Sequence, residues 1–511
     1  MVQFLLRNLP GGPIRRIEAL RRHPLDAQEE MLRSLLQRAR GTEWGRRLGF
    51  EAILESADVI GAYQASVPLH DYEAFREDVT RIRRGEPDIT WPGTFSDFAV
   101  SSGTASAGKI IPVSREMLTA NRRFSMDLMF NYVALTGNAR IGGGRFLSLP
   151  GRIEEDPAFP GTWIGEVSGL QARYAPAVVS RFYQAVGDDV LNEPSWERKL
   201  ERIVDATIDM DVRTLAMVPT WALVLFERLI ARKRERGERA ESLLDVWPNL
   251  TVFFSGGVAL SSYRAILEDQ IGGRGIDFIE SYGASEGFIA FQDEPSRRDM
   301  LLHVRNGVFF EFIPLDGGSD AGRVSLRDVT TDVRYELAVT TCSGLWSYRI
   351  GDVVRFTGTD PYRLVVAGRT SEMIDKYGEA VFGDEVRAAL RAASDETGAQ
   401  VLEFHVAPSE PARNRIPRHQ WIIEFEKEPA DMEVFVRVID AYLKEHNRHY
   451  FIRRDALAFD APEVVSVSKG VFYEWLTEAR DTVSAQTKMP RMSEERGVAD
   501  GLLLSLDRQR K

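Results

Sequence analysis

Leu250-Thr251-Val252-Phe253-Phe254-Ser255-Gly256-Gly257 and Ile276-Asp277-Phe278-Ile279-Glu280-Ser281-Tyr282-Gly283-Ala284-Ser285-Glu286-Gly287 are two apolar runs, each of which breaks into small and polar residues. Between them Ser262 to Ile271 carries apolar residues at helical spacing, so the segment reads strand, helix, strand. Upstream, Thr214-Leu215-Ala216-Met217-Val218-Pro219 followed by Thr220 to Arg234 repeats that order. Apolar strands alternating with helices predict an α/β fold with a parallel sheet covered on both faces. Ligands bind beyond the carboxyl ends of strands in such sheets, which places the site at Ser255-Gly256-Gly257 and at Ser281 to Gly287.

Working toward the N-terminus, Ser101-Ser102-Gly103-Thr104-Ala105-Ser106-Ala107-Gly108-Lys109 packs hydroxyls, glycines and one lysine between Phe98-Ala99-Val100 and Ile110-Ile111. A strand running into a tight loop and out again is expected here. Glycines let backbone N–H groups converge on an anion, hydroxyls add donors and Lys109 adds a charge, so the loop suits phosphate. Gly103-x4-Gly108-Lys109 fits most of a P-loop, but Ile110 stands where Ser or Thr must follow the lysine, and Ile111-Pro112 stands where a helix should begin. Ile141-Gly142-Gly143-Gly144-Arg145 lacks GxGxxG spacing and leads into a strand at Phe146-Leu147-Ser148-Leu149, which argues against a dinucleotide fold.

Helices are expected over residues 26–40, 72–84 and 114–132, the last capped by Ser114. From Val308 to Val366 short strands separated by turns predict a small antiparallel barrel. After Gly368-Arg369 the pattern changes to a compact α+β unit, with helices near 383–393 and 432–447 and strands near 401–406, 421–426 and 463–467. The division is therefore an N-terminal domain over 1–369 and a smaller C-terminal domain over 370–511.

At 511 residues, with 44% hydrophobic and 28% charged content, the chain is long enough for one large and one small core. A net charge of −11 argues against nucleic-acid binding, and no apolar run is long enough to span a bilayer. The one cysteine, Cys342, excludes an intrachain disulfide and suits a reducing cytoplasm; no histidine is motif-linked to it as a base.

Four stretches stand together in this order: the loop at 101–109, Tyr282-Gly283-Ala284-Ser285-Glu286, Tyr348-Arg349-Ile350-Gly351-Asp352-Val353, and Gly368-Arg369. Their order resembles the adenylate-forming superfamily. The longer run Thr340-Thr341-Cys342-Ser343-Gly344-Leu345-Trp346-Ser347-Tyr348 resembles, within it, the auxin-conjugating Gretchen Hagen family of acyl acid amido synthetases. Val67-Pro68-Leu69 and Trp247-Pro248-Asn249-Leu250 extend the likeness over nearly the whole chain. The resemblance implies a large adenylation domain and a mobile cap domain, with ATP and Mg²⁺ as cofactors. It implies that the acid is activated as an acyl-adenylate and passed to an amine, an amino acid being the expected acceptor.

By the same resemblance, Ser101, Ser102, Gly103, Thr104, Ser106, Gly108 and Lys109 would hold the outer phosphates of ATP. Glu286 would carry Mg²⁺, Ser285 would meet the α-phosphate, and Tyr282, with Gly283 and Ala284, would pack against adenine. Tyr348 belongs to the same nucleotide set, Asp352 would accept the ribose hydroxyls, and Arg369 would sit at the hinge. Lys488, in Gln486-Thr487-Lys488-Met489-Pro490-Arg491, would stabilise charge developing at the α-phosphate. A monomer acting on small molecules is expected, with no nucleic acid or membrane as partner. An acyl-CoA ligase and a nucleotide-binding module without turnover are the alternatives.

Overall fold

The computed structural model describes residues 12–101, 109–176, 183–193, 195–273, 275–315, 322–331, 333–370, 372–374, 376, 379, 381–409, 416–456, 459–479 and 489–509. Its centre is a ten-stranded sheet, mixed in direction, in the order β11-β12-β13-β14-β10-β9-β8-β7-β6-β3. The parallel part comprises β3 (Arg145–Ser148), β6 (Val212–Met217), β7 (Val252–Ser255) and β8 (Asp277–Ala284). Alternate residues of these strands face opposite layers. Leu147, Leu215 and Phe253 pack with the helix Pro219–Glu235 on one side, whereas Val252 and Ile279 pack with the long helix Arg115–Thr136 on the other. This is the doubly covered parallel sheet expected from the apolar runs.

The helix Arg115–Thr136 starts where Ser114 caps it: the Ser114 hydroxyl accepts from Met117 N and donates to the Cys342 carbonyl at 2.7 Å. Such a cap is worth about 1 kcal/mol, and here it also ties the helix to the strand region of the large sheet. The helix ends at Gly137 in the left-handed conformation.

Beyond β8 the sheet turns antiparallel through β9 (Gly287–Phe291), β10 (Met300–Leu302), β11 (Val308–Pro314), β12 (Arg334–Thr341), β13 (Tyr348–Thr359) and β14 (Tyr362–Arg369). The antiparallel strands expected over 308–366 are present, and the β10–β14 pairing makes them continuous with the parallel strands. Between β11 and β12, Val324 makes only an isolated bridge to Phe312, and a 3-10 turn, Leu326–Asp328, follows it. A separate four-stranded sheet, β2-β1-β5-β4, contains β1 (Asp97–Ser101), β2 (Lys109–Pro112), β4 (Ile153–Glu155) and β5 (Trp163–Gly165).

After β14 the chain leaves the large sheet. A two-stranded hairpin, β15 (Met373–Ile374) and β16 (Val381–Phe382), leads to the helix Gly383–Thr397. A three-stranded sheet follows, β17-β18-β19, formed by Gln400–Pro408, His419–Lys427 and Glu463–Val467. Its core of Phe404, Val406, Trp421, Ile423, Phe435 and Leu443 is distinct from the cores of the large sheet. Among the described residues no helix is long and apolar enough to cross a membrane.

Candidate active site

β8 runs through the Tyr282 motif to Ala284, turns at Ser285 and Glu286, and returns as β9, with Ala284 paired to Gly287. The motif is therefore a tight hairpin at the carboxyl end of a parallel strand. Gly283 is required by packing: a Cβ there would lie 2.5 Å from the Phe288 ring. The hairpin leaves the Glu286 carboxyl almost enclosed, at 8% exposure.

Asp352 and Arg369 reach the same place from neighbouring strands, because they are register partners in the β13–β14 ladder. Gly351, at φ +80°, turns the chain just before Asp352, a conformation that disfavours any side chain. The Tyr282 hydroxyl donates to Asp352 Oδ2 at 2.7 Å, and Arg369 Nε lies 3.0 Å from Oδ1. Among the described residues each carboxylate oxygen thus has one protein partner. Since a carboxylate offers about four lone-pair sites, two remain for a ligand.

The charges in this corner set its chemistry. Burial, reinforced by the Asp352 charge, pushes the Glu286 carboxyl up to about 7, against the opposing pull of its own backbone N–H, Arg369 and Lys109. Among the described residues no side chain donates a hydrogen bond to Glu286. Burial and the Asp352 charge likewise raise the Tyr282 phenol, which therefore stays a proton donor. Arg369 is held even more firmly as a cation, chiefly by Asp352.

These groups line a cleft of about 3010 Å³ between the carboxyl ends of β7 and β8 and the C-terminal unit. Lys109, Tyr282, Gly283, Ala284, Ser285, Glu286, Asp352 and Arg369 all open onto it. Tyr348 does not; its ring is fully buried, Lys109 Nζ lies 5.7 Å from the ring centroid, and its hydroxyl has no hydrogen-bond partner among the described residues. Ser101 pairs with Lys109 across the β1–β2 hairpin, so the two ends of the glycine-rich loop are fixed. Ser102, Gly103, Thr104, Ser106, Gly108 and Lys488 lie outside the described residues.

Sequence reasoning missed other groups at this cleft. Tyr72 accepts at its hydroxyl from Ile110 N at 3.0 Å, and so holds the outgoing strand of the glycine-rich loop. Tyr263, at the start of the helix Arg264–Ile271, donates its hydroxyl to Glu403 Oε2 at 3.1 Å and accepts from Arg491. None has a local signature: each is an isolated polar residue whose partner is remote in sequence. Cys342 is buried, and burial pushes its thiol up to about 12, which rules it out as a ready nucleophile at neutral pH.

Comparison with known proteins gives a consistent result. Residues 13–154 match the GH3 family N-terminal domain, 301–369 its central domain and 384–497 its C-terminal domain. The chain is 25% identical to the probable indole-3-acetic acid-amido synthetase GH3.1 of Arabidopsis thaliana, over 76% of this chain and 75% of that protein. It is 26% identical to the indole-3-acetic acid-amido synthetase GH3.8 of Oryza sativa subsp. indica, over 77% and 74% of the two chains. Among solved structures, GH3.15 acyl acid amido synthetase superposes with a TM-score of 0.76 at 19% identity, covering 96% of this chain and 95% of that one. A 2-hydroxyisobutyryl-CoA ligase shares the fold at a TM-score of 0.58 and 15% identity, over 94% and 92% of the chains.

Proposed function

This chain belongs to the GH3 family and is an ATP-dependent acyl acid amido synthetase, and we propose how its residues divide the work. A carboxylate is a poor electrophile; attack on the α-phosphate of ATP converts it to an acyl-adenylate and releases pyrophosphate. An amine, in our reading that of an amino acid, then attacks the acyl carbon, and AMP leaves as the amide forms. The domain boundary falls between residues 369 and 370.

The observation that carries this assignment is the Tyr282–Asp352–Arg369 cluster. Two partners orient the Asp352 carboxylate and leave lone pairs facing the cleft, the arrangement a pair of ribose hydroxyls needs. Arg369 supplies positive charge beside the nucleotide, and Lys109, with Ser101, Ser102, Gly103, Thr104, Ser106 and Gly108, supplies donors for the departing pyrophosphate. Tyr282, Gly283 and Ala284 form the wall on which adenine packs, Ser285 meets the α-phosphate, and Tyr348 backs the site from behind Lys109.

Glu286 fits a magnesium ion. It is a buried carboxylate with a raised pKa and no bonded cation among the described residues, and a hard divalent cation prefers oxygen ligands. Bound there, Mg²⁺ would neutralise charge on the phosphates. Lys488 is assigned to the charge that develops at the α-phosphate during acid attack. One cysteine, buried and weakly acidic, supports a cytoplasmic location, and we expect a monomer working on small molecules.

The test is exchange of labelled pyrophosphate into ATP, screened over a panel of carboxylic acids. Exchange that depends on one acid is expected, followed by AMP release when an amino acid is added. AMP release that requires coenzyme A would replace the amide reading with a thioester one, and ATP binding without exchange would leave a nucleotide-binding module. Lys488→Ala is expected to slow exchange on the order of 10²–10³-fold while sparing amide formation from supplied acyl-adenylate.

A further inference from the structure

The backbone of residues 490–492 lies along the free edge of the C-terminal sheet. Val406 N donates to the Arg491 carbonyl at 2.8 Å, Ser493 N donates to the Val406 carbonyl at 3.1 Å, and His405 Nδ1 meets the Pro490 carbonyl at 2.6 Å. From that edge the Arg491 side chain crosses to the large part of the molecule. Its Nη2 donates to the Tyr263 hydroxyl, its Nε donates to Glu403 Oε1 at 3.1 Å, and Tyr263 donates to the other Glu403 oxygen at 3.1 Å. The guanidinium also lies 5.2 Å from the Tyr263 ring centroid and 5.1 Å from that of Phe404.

All three groups are withdrawn from water: Arg491 is 8% and Tyr263 1% exposed, and the Glu403 side chain 15%. Arg491 and Glu403 belong to the same unit and neutralise each other there. Tyr263 is the member of this triad contributed by the large part, and its phenolic oxygen makes both hydrogen bonds to the other two. Two hydrogen bonds across the boundary therefore depend on one oxygen.

We infer that Tyr263, Glu403 and Arg491 form a latch that holds the C-terminal unit against the large sheet in the arrangement used for acid activation, with Tyr263 and Arg491 as positioning residues. This rests on the proposed function, since Arg491 ends the run Lys488-Met489-Pro490-Arg491. Arg491, three residues along the sequence from that lysine, is fixed at the sheet edge by its backbone and at the boundary by its side chain. Amide formation from an existing acyl-adenylate does not call on Lys488 in the proposed scheme, so the latch matters to one half-reaction and not the other.

Tyr263→Phe is the cleanest probe. It keeps the ring in its core and beneath the guanidinium, and removes only the oxygen. The expected result is a fall of about tenfold in kcat for acid-dependent pyrophosphate exchange, the scale of two modest hydrogen bonds, with KM for ATP and the melting temperature nearly unchanged. Amide formation from synthetic acyl-adenylate should proceed at the wild-type rate. Adding Tyr263→Phe to Arg491→Ala should cost less than Tyr263→Phe costs alone, because only the Tyr263–Glu403 bond is then left to lose. A second readout is independent of turnover: modification of Arg491 by phenylglyoxal, located by peptide mass spectrometry, should be faster in Tyr263→Phe than in wild type.

Unchanged exchange in Tyr263→Phe, or equal slowing of both half-reactions with a lowered melting temperature, would overturn the latch. If wild type shows no acid-dependent exchange the function assignment fails by itself, and the latch then stands or falls on the labelling: equal rates of Arg491 modification in the two proteins would remove it.

Discussion

β9 has a buried carboxylate at each end, and the two are treated in opposite ways. Glu286 immediately precedes the strand and faces the cleft; Asp293 lies just beyond its other end and does not line the cleft. The Asp293 side chain is fully buried and is met by Arg363 through two bonds, at 2.6 and 2.8 Å, and by Arg21 at 2.6 Å. Glu286 is nearly as deeply buried, yet no described side chain bonds its carboxylate, and its pKa rises to about 7. Burial costs each carboxylate its hydration. At Asp293 the protein offsets that cost with its own cations and joins the N-terminal helix Pro13–Arg22 to the sheet. At Glu286 no described side chain offsets that cost, which in the proposed scheme a bound cation relieves.

The contrast can be broken from either end. Arg363→Met should have the largest effect on stability, about 3–5 kcal/mol by denaturant titration, because it leaves Asp293 with Arg21 alone. A cost near zero would mean that Arg21 suffices and that the two ends differ less than the geometry indicates. Glu286→Gln should lower pyrophosphate exchange on the order of 10²–10³-fold, with an unfolding free energy no lower than wild type, since it removes an uncompensated buried charge. Loss of stability in that variant would show that Glu286 is a structural carboxylate like Asp293.

Asp352→Ala should weaken ATP binding by roughly 1.5–3 kcal/mol for each charge-assisted ribose bond lost, measured by calorimetry. An unchanged affinity would return Asp352 to a purely internal role with Tyr282 and Arg369.

The smallest effect is the dependence on pH. In the free protein Glu286 is mostly protonated below about pH 7 and charged above it, so affinity for Mg²⁺ should climb as pH rises from 6 to 7 and level off near 8. Because the folded pKa lies above the ordinary 4.5, this group favours the fold at low pH, and its contribution is lost as pH rises through about 7. Glu286→Gln should flatten both profiles, and a profile unchanged by it would assign the titration to another group.

The strand at 277–280 and the helices Pro219–Glu235 and Arg115–Thr136 were legible because local periodicity and capping specify them. The residues of the corner, Tyr282, Glu286, Asp352 and Arg369, were legible through motif order, which carries no geometry. The sequence reading took the Tyr282 motif as loop chemistry at a strand end; in the fold the strand continues to Ala284 and folds back, since β9 supplies a pairing partner that periodicity cannot reveal. The β10–β14 pairing was hidden for the same reason, as were β4 and β5, which at three residues each are too short to show alternation. Arg491 stands in a stretch whose motif residue is Lys488, and nothing nearby in sequence points to Tyr263. The remote pairings Tyr282–Asp352, Tyr263–Arg491 and Arg363–Asp293 exist only once the sheets are assembled.

One consequence follows from the place of Arg369. It is the last residue of β14, paired across the ladder with Asp352, and the chain departs for the C-terminal unit directly beyond it. In the proposed scheme the residue assigned to the nucleotide and the residue at the domain boundary are therefore one and the same. Thr370 N still bonds the Gly351 carbonyl at 2.8 Å, so the first residue past the boundary is held by the backbone that presents Asp352. Occupancy of the ribose pocket and the angle of the cap would then be read from one gauge, a coupling built without any intervening relay.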